Sequence, residues 1–209
     1  MYTKRSLENY IDKASNQFPA LLLIGARQVG KTTLLKHLST NKRTYITLDD
    51  PDILNLAKSD PALFFKRFQT PILIDEIQYA PELLPYIKIM IDSNRQSGMF
   101  WLTGSQQFHL MKGVSESLAG RVGIINLLGL SKHEILNNKK DYNPFLPTLE
   151  EIVKRDAINK KLSLKEIYQF IWMGSYPALY GSGNIEKGLF YSSYIQTYIQ
   201  RDVRDLAKV

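Results

Sequence analysis

The feature that most constrains the fold is the segment GARQVGKT, residues 25–32, which follows the apolar run ALLLI and precedes the helical pattern TLLKHL. It fits the pattern G-x-x-x-x-G-K-[ST], with Gly25, Gly30, Lys31 and Thr32 in register. Glycines let backbone N–H groups point inward around a polyphosphate, and a helix N-terminus adds the positive end of its dipole. The sequence therefore predicts a phosphate-binding loop between a buried strand and a helix.

The same segment predicts a site for a nucleotide with Mg²⁺. We expect the Lys31 ammonium to bridge the terminal phosphates and the Thr32 hydroxyl to ligate Mg²⁺. The alternative is a glycine-rich turn that only joins a strand to a helix. The predicted nucleotide contacts are Gly25, Ala26, Arg27, Gln28, Val29, Gly30, Lys31, Thr32 and Thr33.

A pair of acids follows the later apolar run, in the segment ILIDEIQ. Asp75 ends this predicted strand, and a parallel sheet presents the carboxyl ends of its strands at its ligand-binding edge. Asp75 is therefore expected to hold the Mg²⁺ shell, and Glu76 to activate a water for in-line attack on the γ-phosphate. The alternative is that both acids cap the helix that follows.

Two further segments offer catalytic candidates. In WLTGSQ, Thr103 or Ser105 is expected to hydrogen-bond the γ-phosphate or the attacking water, although Thr, Gly and Ser also favour a plain turn. In SLAGR, Arg121 is a candidate arginine finger that acts on a neighbouring subunit. Its alternative role is to complete the end of a helix beside Gly120.

The hydrophobic pattern predicts an α/β fold with a five-stranded parallel sheet flanked by helices. Asp50-Pro51 and Asp60-Pro61 are predicted helix starts. We expect a P-loop core over residues 1–135, a linker over 136–147, a small helical, lid-like region over 148–184 and the start of a truncated C-terminal domain over 185–209. The last segment spaces Tyr191, Ile195, Tyr198 and Asp202 as one helical face, which predicts packing on a further domain.

The amino-acid composition limits which metals, membranes and nucleic acids the chain is expected to bind. The chain of 209 residues has no cysteine, and its three histidines, His37, His109 and His133, lie far apart, so we predict no metal site built from protein ligands alone. No secretory signal or membrane-length apolar run is present, which favours a cytoplasmic protein without a membrane partner. The net charge of +7 is compatible with DNA binding, but the basic residues are dispersed, as on an ordinary solvated surface.

Together these motifs resemble a family of prokaryotic AAA-type ATPases in which the core precedes a C-terminal domain of unknown function, the DUF4143 group. The segments that carry the resemblance are GARQVGKTTLL, LDDP, LIDEIQ, LTGSQ and LAGR, over about residues 15 to 135, with GSYP and YIQTYIQRDVRDL beyond them. The resemblance implies ATP and Mg²⁺ as cofactors, Lys31, Thr32, Asp75 and Glu76 as site residues, Thr103 or Ser105 as a sensor and Arg121 as the finger. It also implies that this chain is an N-terminal fragment.

The leading functional hypothesis is Mg²⁺-dependent ATP hydrolysis that drives a molecular switch or motor. We expect a weak or nucleotide-dependent homo-oligomer and a DNA or protein client. Two alternatives stay open at this point. One is a small-molecule kinase, which shares the phosphate loop, and the other is a nucleotide-gated adaptor that hydrolyses ATP hardly at all.

Overall fold

The computed structural model describes residues 2–39, 43–105, 107–136, 147–158, 162–181, 183 and 185–199. Its strands are β1 (Ala20–Ile24), β2 (Thr44–Thr47), β3 (Ile72–Asp75), β4 (Phe100–Gly104) and β5 (Val122–Asn126). They form one parallel sheet in the order β2-β3-β4-β1-β5. The predicted α/β fold with a five-stranded parallel sheet is confirmed.

Helices fill the connections between these strands and form the C-terminal part. The helices of the described residues are α1 (Glu8–Ser15), α2 (Lys31–Ser39), α3 (Pro51–Ser59), α4 (Pro61–Arg67), α5 (Leu83–Ser93), α6 (Gln107–Ser117), α7 (Lys132–Ile135), α8 (Leu149–Ile158), α9 (Leu164–Met173) and α10 (Lys187–Tyr194). Short 3₁₀ turns cover Ile77–Tyr79 and Pro177–Tyr180, and a π-helical turn, Ile195–Ile199, continues α10.

Both faces of the sheet are covered, which explains why β1 and β3 are continuous apolar runs. Leu22 of β1 faces a core shared with α3, α4, α5 and α6, whereas Leu21 and Leu23 face a second core against α1 and α2. Every residue of β1 is buried. Burial on both faces leaves no position along this strand for a solvated polar side chain.

The helix starts follow the predicted chemistry. The Asp50 carboxylate accepts hydrogen bonds from the backbone N–H groups of Asp52 and Ile53, and that of Asp60 accepts one from Leu63. In each case proline occupies the first helical position, where a missing N–H costs nothing. Both predicted N-caps are confirmed.

The strand order fixes which loops meet. Because β4 lies between β1 and β3, its carboxyl end lies between the loop after β1 and the acids that end β3. The register aligns Thr103 of β4 with Leu23 of β1, and Gly104 with Ile24. The residues that follow these strands therefore converge at one edge of the sheet.

The C-terminal part adds helices beyond β5. Residues 137–146, most of the predicted linker, lie outside the described residues, so the domain boundaries stay predictions. The predicted last helix begins at Lys187, with Glu186 as its N-cap, and continues as far as the described chain does. Within the described residues no helix combines the length and apolarity that crossing a membrane requires.

Candidate functional site

The loop between β1 and α2 has the backbone that its glycines permit. Gly25, Gln28 and Gly30 have φ values of 152°, 62° and 94°. A Cβ atom on Gly25 would lie 2.3 Å from the carbonyl oxygen of Leu127, at the end of β5. Any larger residue at position 25 would therefore push the loop away from the sheet.

Lys31 closes this loop from inside. Its Nζ donates hydrogen bonds to the carbonyl oxygens of Gly25 at 3.0 Å and Ala26 at 2.9 Å, and the residue is buried. Burial lowers the pKa of Lys31, and the nearby carboxylates of Glu76 and Asp75 partly oppose that shift. The ammonium therefore lies inside the loop, within reach of any anion bound there.

Asp75 is the centre of a hydroxyl cluster at the end of β3. Its Oδ1 accepts a hydrogen bond from Thr32 Oγ1 at 2.7 Å and a short one from Thr103 Oγ1, and its Oδ2 accepts one from Tyr45 at 3.1 Å. Burial and the Asp75 charge raise the pKa of Tyr45 to about 12, so its phenol stays protonated as a donor. Three hydroxyl groups thus orient one buried carboxylate.

Glu76 has a left-handed backbone, with φ 58° and ψ 48°. Its N–H donates to Thr103 Oγ1 at 3.0 Å. Its Oε2 accepts a hydrogen bond from Ser105 Oγ at 2.9 Å and a short one from Gln78 Nε2. The two carboxylates of ILIDEIQ therefore have separate partners, and the Glu76 side chain does not cap the following 3₁₀ turn.

The structure separates Thr103 from Ser105, which the sequence left as alternatives. Thr103 is fully buried, and its single hydroxyl hydrogen is directed at Asp75. Ser105 lies at the edge of the sheet beside Glu76. Thr103 therefore braces both acids from within the sheet, whereas Ser105 lies next to the Glu76 carboxylate.

The remaining loop residues have different surroundings. Val29 is buried in the core, and the side chains of Ala26 and Thr33 are exposed. The guanidinium of Arg27 lies 5.1 Å from the ring centroid of Tyr198. Its buried Nε and Nη2 atoms make no hydrogen bond within the described part of the chain.

Thr32 and Asp75 meet the chemical requirements of a magnesium site. Mg²⁺ prefers hydroxyl and carboxylate oxygens and uses one or two protein groups together with phosphates and water. The Thr32 hydroxyl and the Asp75 carboxylate are hydrogen-bonded to each other beside Lys31 and the loop. These two oxygens would hold the ion.

Arg121 lies away from this cluster. Its carbonyl oxygen accepts a hydrogen bond from Ala20 N, at the amino end of β1, so Arg121 lies at the opposite end of the sheet from the loop. Its guanidinium binds both oxygens of Asp92, at 2.6 and 2.9 Å, and donates to the carbonyl of Ala119 at 3.0 Å. Arg121 thus completes a helix end, and it contributes nothing to the site of its own chain.

A buried ion pair, which the sequence did not predict, contacts the loop. Arg5 donates to Glu134 at 3.1 Å and to the loop carbonyl of Val29 at 2.8 Å, and two further carbonyls after β5 accept from it. Although burial alone would raise the pKa of Glu134, hydrogen bonds from the Ser131 and Ser6 N–H groups and the Arg5 charge lower it. Only a capping signal, Ser131 with Glu134, was visible in the sequence, and it does not predict the partner.

The last described helix packs on the loop. Tyr194 is buried and donates to the Arg27 carbonyl at 3.4 Å, and Gln28 Nε2 donates to the Tyr198 hydroxyl at 3.3 Å. Tyr194 and Tyr191 also contact the ring of Tyr176, from the GSYP segment. Tyr191 and Tyr198 of the predicted face contact this chain's own residues, Ile195 is exposed and Asp202 lies outside the described residues, so packing of this face on a further domain stays a prediction.

A parallel sheet with this strand order, a glycine loop after β1 and two acids at the carboxyl end of β3 define an α/β protein of the P-loop ATPase fold. The chain belongs to the AAA_14 family, described as an AAA domain, whose profile matches residues 17–136, more than half of its length. Among solved structures it is similar to the Walker-type ATPase PABY2304 of Pyrococcus abyssi, with a TM-score of 0.56 and 16% identity over 100% of this chain and 76% of that one. That likeness shows the fold.

The curated relatives it matches are two mycobacterial proteins. They are the uncharacterized protein Rv2008c of Mycobacterium tuberculosis and the uncharacterized protein Mb2031c of Mycobacterium bovis, each 27% identical over 207 residues. The match covers 97% of this chain and 40% of each relative. The chain therefore spans about two fifths of the length of these relatives.

Proposed function

We propose that this chain binds Mg·ATP and hydrolyses it to ADP and phosphate. The observation that carries the proposal is the single hydrogen-bonded cluster in which Thr32, Asp75, Glu76 and Ser105 meet beside the glycine loop. Family membership supports the same chemistry. An acid pair, a loop lysine and a polar strand end are the parts that ATP hydrolysis in a P-loop protein needs.

In this proposal Mg·ATP is bound by the loop together with Lys31, Thr32 and Asp75. The loop N–H groups and the α2 N-terminus attract the phosphates, and Lys31 exchanges its two loop carbonyls for phosphate oxygens. Mg²⁺, when bound, supplies positive charge that neutralises the charge developing on the β- and γ-phosphates. Thr32 and Asp75 would hold that ion, and the Tyr45 hydroxyl donates to the second Asp75 oxygen.

Glu76 acts as the general base in hydrolysis. The water oxygen forms a bond to the γ-phosphorus, the bond to the ADP oxygen breaks, and the Glu76 carboxylate accepts the proton released by the water. Ser105 orients that carboxylate through its hydrogen bond to Oε2. Thr103 keeps Asp75 and Glu76 in register by contacting both.

The test compares binding with turnover. Lys31→Ala should weaken Mg·ATP binding in calorimetry because the phosphates lose a cation, and Thr32→Ala should do so because Mg²⁺ loses a ligand. Glu76→Gln should retain ATP but slow phosphate release by about 10²–10⁴-fold, since an amide cannot accept the proton. Unchanged ATP affinity in the first two variants would refute the site.

The same assay separates the two other hypotheses. A kinase would release phosphate slowly and transfer it to an added small-molecule acceptor, whereas an adaptor would bind ATP tightly and turn it over hardly at all. Glu76 is compatible with either reaction, because a carboxylate can accept the proton of an acceptor hydroxyl as well as that of a water, so the dependence of turnover on an added acceptor decides between them. A Glu76-dependent phosphate burst without any acceptor is the expected result.

We further propose that hydrolysis works as a switch or motor on a protein or DNA client in the cytoplasm. The contacts of Tyr194 and Tyr198 with the loop support a switch, because an occupied loop changes what these tyrosines pack against. A weak or nucleotide-dependent homo-oligomer would let Arg121 act on the site of a neighbour. The absence of cysteine suits a reducing compartment.

A further inference from the structure

Gln78, which the proposed mechanism leaves without a role, lies two residues after Glu76 in the 3₁₀ turn Ile77–Tyr79. Its Nε2 donates one hydrogen bond to Glu76 Oε2 and another, at 3.2 Å, to Ser105 Oγ. Ser105 in turn donates to the same Glu76 oxygen at 2.9 Å. The three side chains therefore form a closed ring of hydrogen bonds.

Donor and acceptor chemistry fixes the orientation of the amide in this ring. An ionised carboxylate only accepts hydrogen bonds, so the nitrogen of Gln78 must face Glu76. Both hydrogens of that nitrogen are then used, one on Glu76 and one on Ser105. The amide oxygen is then the one polar atom of the Gln78 side chain that the ring does not use.

That oxygen, Gln78 Oε1, is buried and accepts no hydrogen bond from the described residues. Buried polar atoms nearly always have a partner, so an unpaired acceptor on the amide that holds the proposed base indicates a ligand with a hydrogen to donate. The other Glu76 oxygen, Oε1, also accepts no hydrogen bond from the described part of the chain, because the ring uses only Oε2. Each of these two side chains thus keeps one acceptor open within the described part of the chain.

We propose that Gln78 is a positioning residue for the attacking water, an inference that rests on the proposed ATP hydrolysis. The ring holds Glu76 by Oε2, so its Oε1 accepts one hydrogen of the water. The Gln78 Oε1 accepts the other. With both hydrogens directed at the protein, the water directs a lone pair at the γ-phosphorus. Gln78 itself exchanges no proton.

The first test replaces Gln78 with methionine, which keeps the length of the side chain and removes both its donors and its acceptor. In single-turnover assays with Mg·ATP, Gln78→Met should lower the hydrolysis rate by about tenfold to a hundredfold, as expected when a reacting group is misplaced. The ATP dissociation constant should stay within about twofold, because Gln78 contacts neither the loop nor the Mg²⁺ ligands. Gln96→Met, on an exposed glutamine away from the site, should match the parent in both measurements.

The second test uses the pH profile and covers the case in which the methionine variant folds poorly. Gln78→Glu keeps an acceptor but brings a second carboxylate beside Glu76, and like charges raise the pKa of such a pair. The acidic limb of the kcat profile should therefore move to higher pH than in the parent. A Gln78 side chain that does not lie against the Glu76 carboxylate in the working enzyme would leave that limb unchanged, and the proposed role would then be wrong.

The outcomes separate this inference from the proposed function. If the parent releases no phosphate, or releases it independently of Glu76, the proposed function fails. If hydrolysis depends on Glu76 but Gln78→Met turns over at the parent rate, or only loses ATP affinity, the water-positioning role is wrong. A faster Gln78→Met variant would also overturn it, since the ring would then restrain Glu76.

Discussion

Two hydroxyl residues, Thr103 and Ser105, show how a spacing of two residues separates roles at the end of a strand. Thr103 points into the sheet and is fully buried, where it joins the carboxylate of Asp75 to the N–H group of Glu76. Ser105 lies beyond the last residue of β4 and meets the Glu76 side chain. One hydroxyl therefore supports structure and the other supports the proposed chemistry.

A pair of substitutions tests this division. Thr103→Val keeps the shape but leaves the Glu76 N–H without its partner and Asp75 Oδ1 with Thr32 as its remaining donor, so we expect it to lower the free energy of unfolding by about 1–3 kcal/mol. Ser105→Ala removes a bond at the edge of the site and should spare stability while slowing ATP turnover. Urea denaturation of both variants, beside phosphate release, measures the contrast. Equal stability losses would contradict it.

At the scale of elements, the buried Arg5–Glu134 pair ties three segments together. Arg5 precedes α1, Glu134 lies in α7, and the Arg5 guanidinium also holds the loop carbonyl of Val29. Both side chains are almost fully buried, at 5% and 7% exposure. Because an unpaired buried charge is costly, these segments are expected to keep their positions as one unit.

The Arg5–Glu134 pair should make the free energy of unfolding depend on pH in the acidic range. The folded chain lowers the Glu134 pKa below its ordinary value of 4.5, so the stabilisation is complete above that value and is lost as pH falls through the folded pKa. Glu134→Gln should be less stable than the parent at neutral pH by about 1–3 kcal/mol, and the difference should shrink in acid. Urea denaturation at a series of pH values measures it. In the control Glu82→Gln, on an exposed glutamate, the free energy of unfolding should change with pH as it does in the parent.

The contact of α10 and its π-helical turn with the loop gives a second element-scale prediction. Tyr198→Ala removes the ring over Arg27 and the hydrogen bond from Gln28, together worth about 1–2 kcal/mol. Amide hydrogen exchange over residues 187–199 should then be faster. In the parent, Mg·ATP should alter exchange in this segment, and in Tyr198→Ala that response should be weaker.

The matched control for that experiment is Ile199→Ala. Ile199 lies one residue further along the same turn and is 46% exposed. Its removal should leave exchange over residues 187–194 unchanged, with or without nucleotide. Equal acceleration in both variants would show only that the turn frays, without any coupling to the loop.

At the scale of the whole molecule, Arg121 has no site within its own chain. If it acts on a neighbour, Arg121→Ala should leave ATP affinity nearly intact and lower turnover by about 10³–10⁵-fold. The specific activity of the parent should rise with protein concentration. Phosphate release over a range of protein concentrations measures both. A parent whose specific activity is independent of concentration would assign Arg121 to its helix end alone.

Two nearby variants control that measurement. Arg95→Ala removes another exposed arginine from the same end of the molecule, where it contacts the Gly120 carbonyl at 3.4 Å, and should keep parent activity. Asp92→Asn weakens the bidentate pair that holds Arg121 without removing the guanidinium, so a finger acting on a neighbour should still function. Loss of activity in Asp92→Asn alone would point to the structural pair.

The net charge of the whole molecule leads to a prediction about DNA binding. With a net charge of +7, we expect weak, sequence-independent DNA binding by the protein. Tyr191, Tyr194 and Tyr198 are engaged with this chain's own residues, so phosphate contacts rather than base stacking should dominate. Fluorescence anisotropy at several salt concentrations should show log affinity falling linearly with log salt. If the protein binds no DNA at low salt, with or without ATP, the client is a protein.

The sequence by itself determined the sheet, the loop and the identity of the acids. Continuous apolar runs at β1 and β3 predict strands buried on both faces, and the spacing of Gly25, Gly30 and Lys31 defines the loop, because both are local in the chain. The Asp-Pro helix starts are local as well. Such features need no knowledge of distant residues.

Only the tertiary structure decided which distant residues meet. The strand order inserts β4 between β1 and β3, and this brings Thr103 to Asp75 and Ser105 to Glu76. The path of the rest of the chain brings Arg5 to the loop carbonyl of Val29 and packs Tyr194 and Tyr198 against the loop. A periodic pattern shows that a face is buried, but it carries no information about what buries it, because packing partners are set by the path of the whole chain.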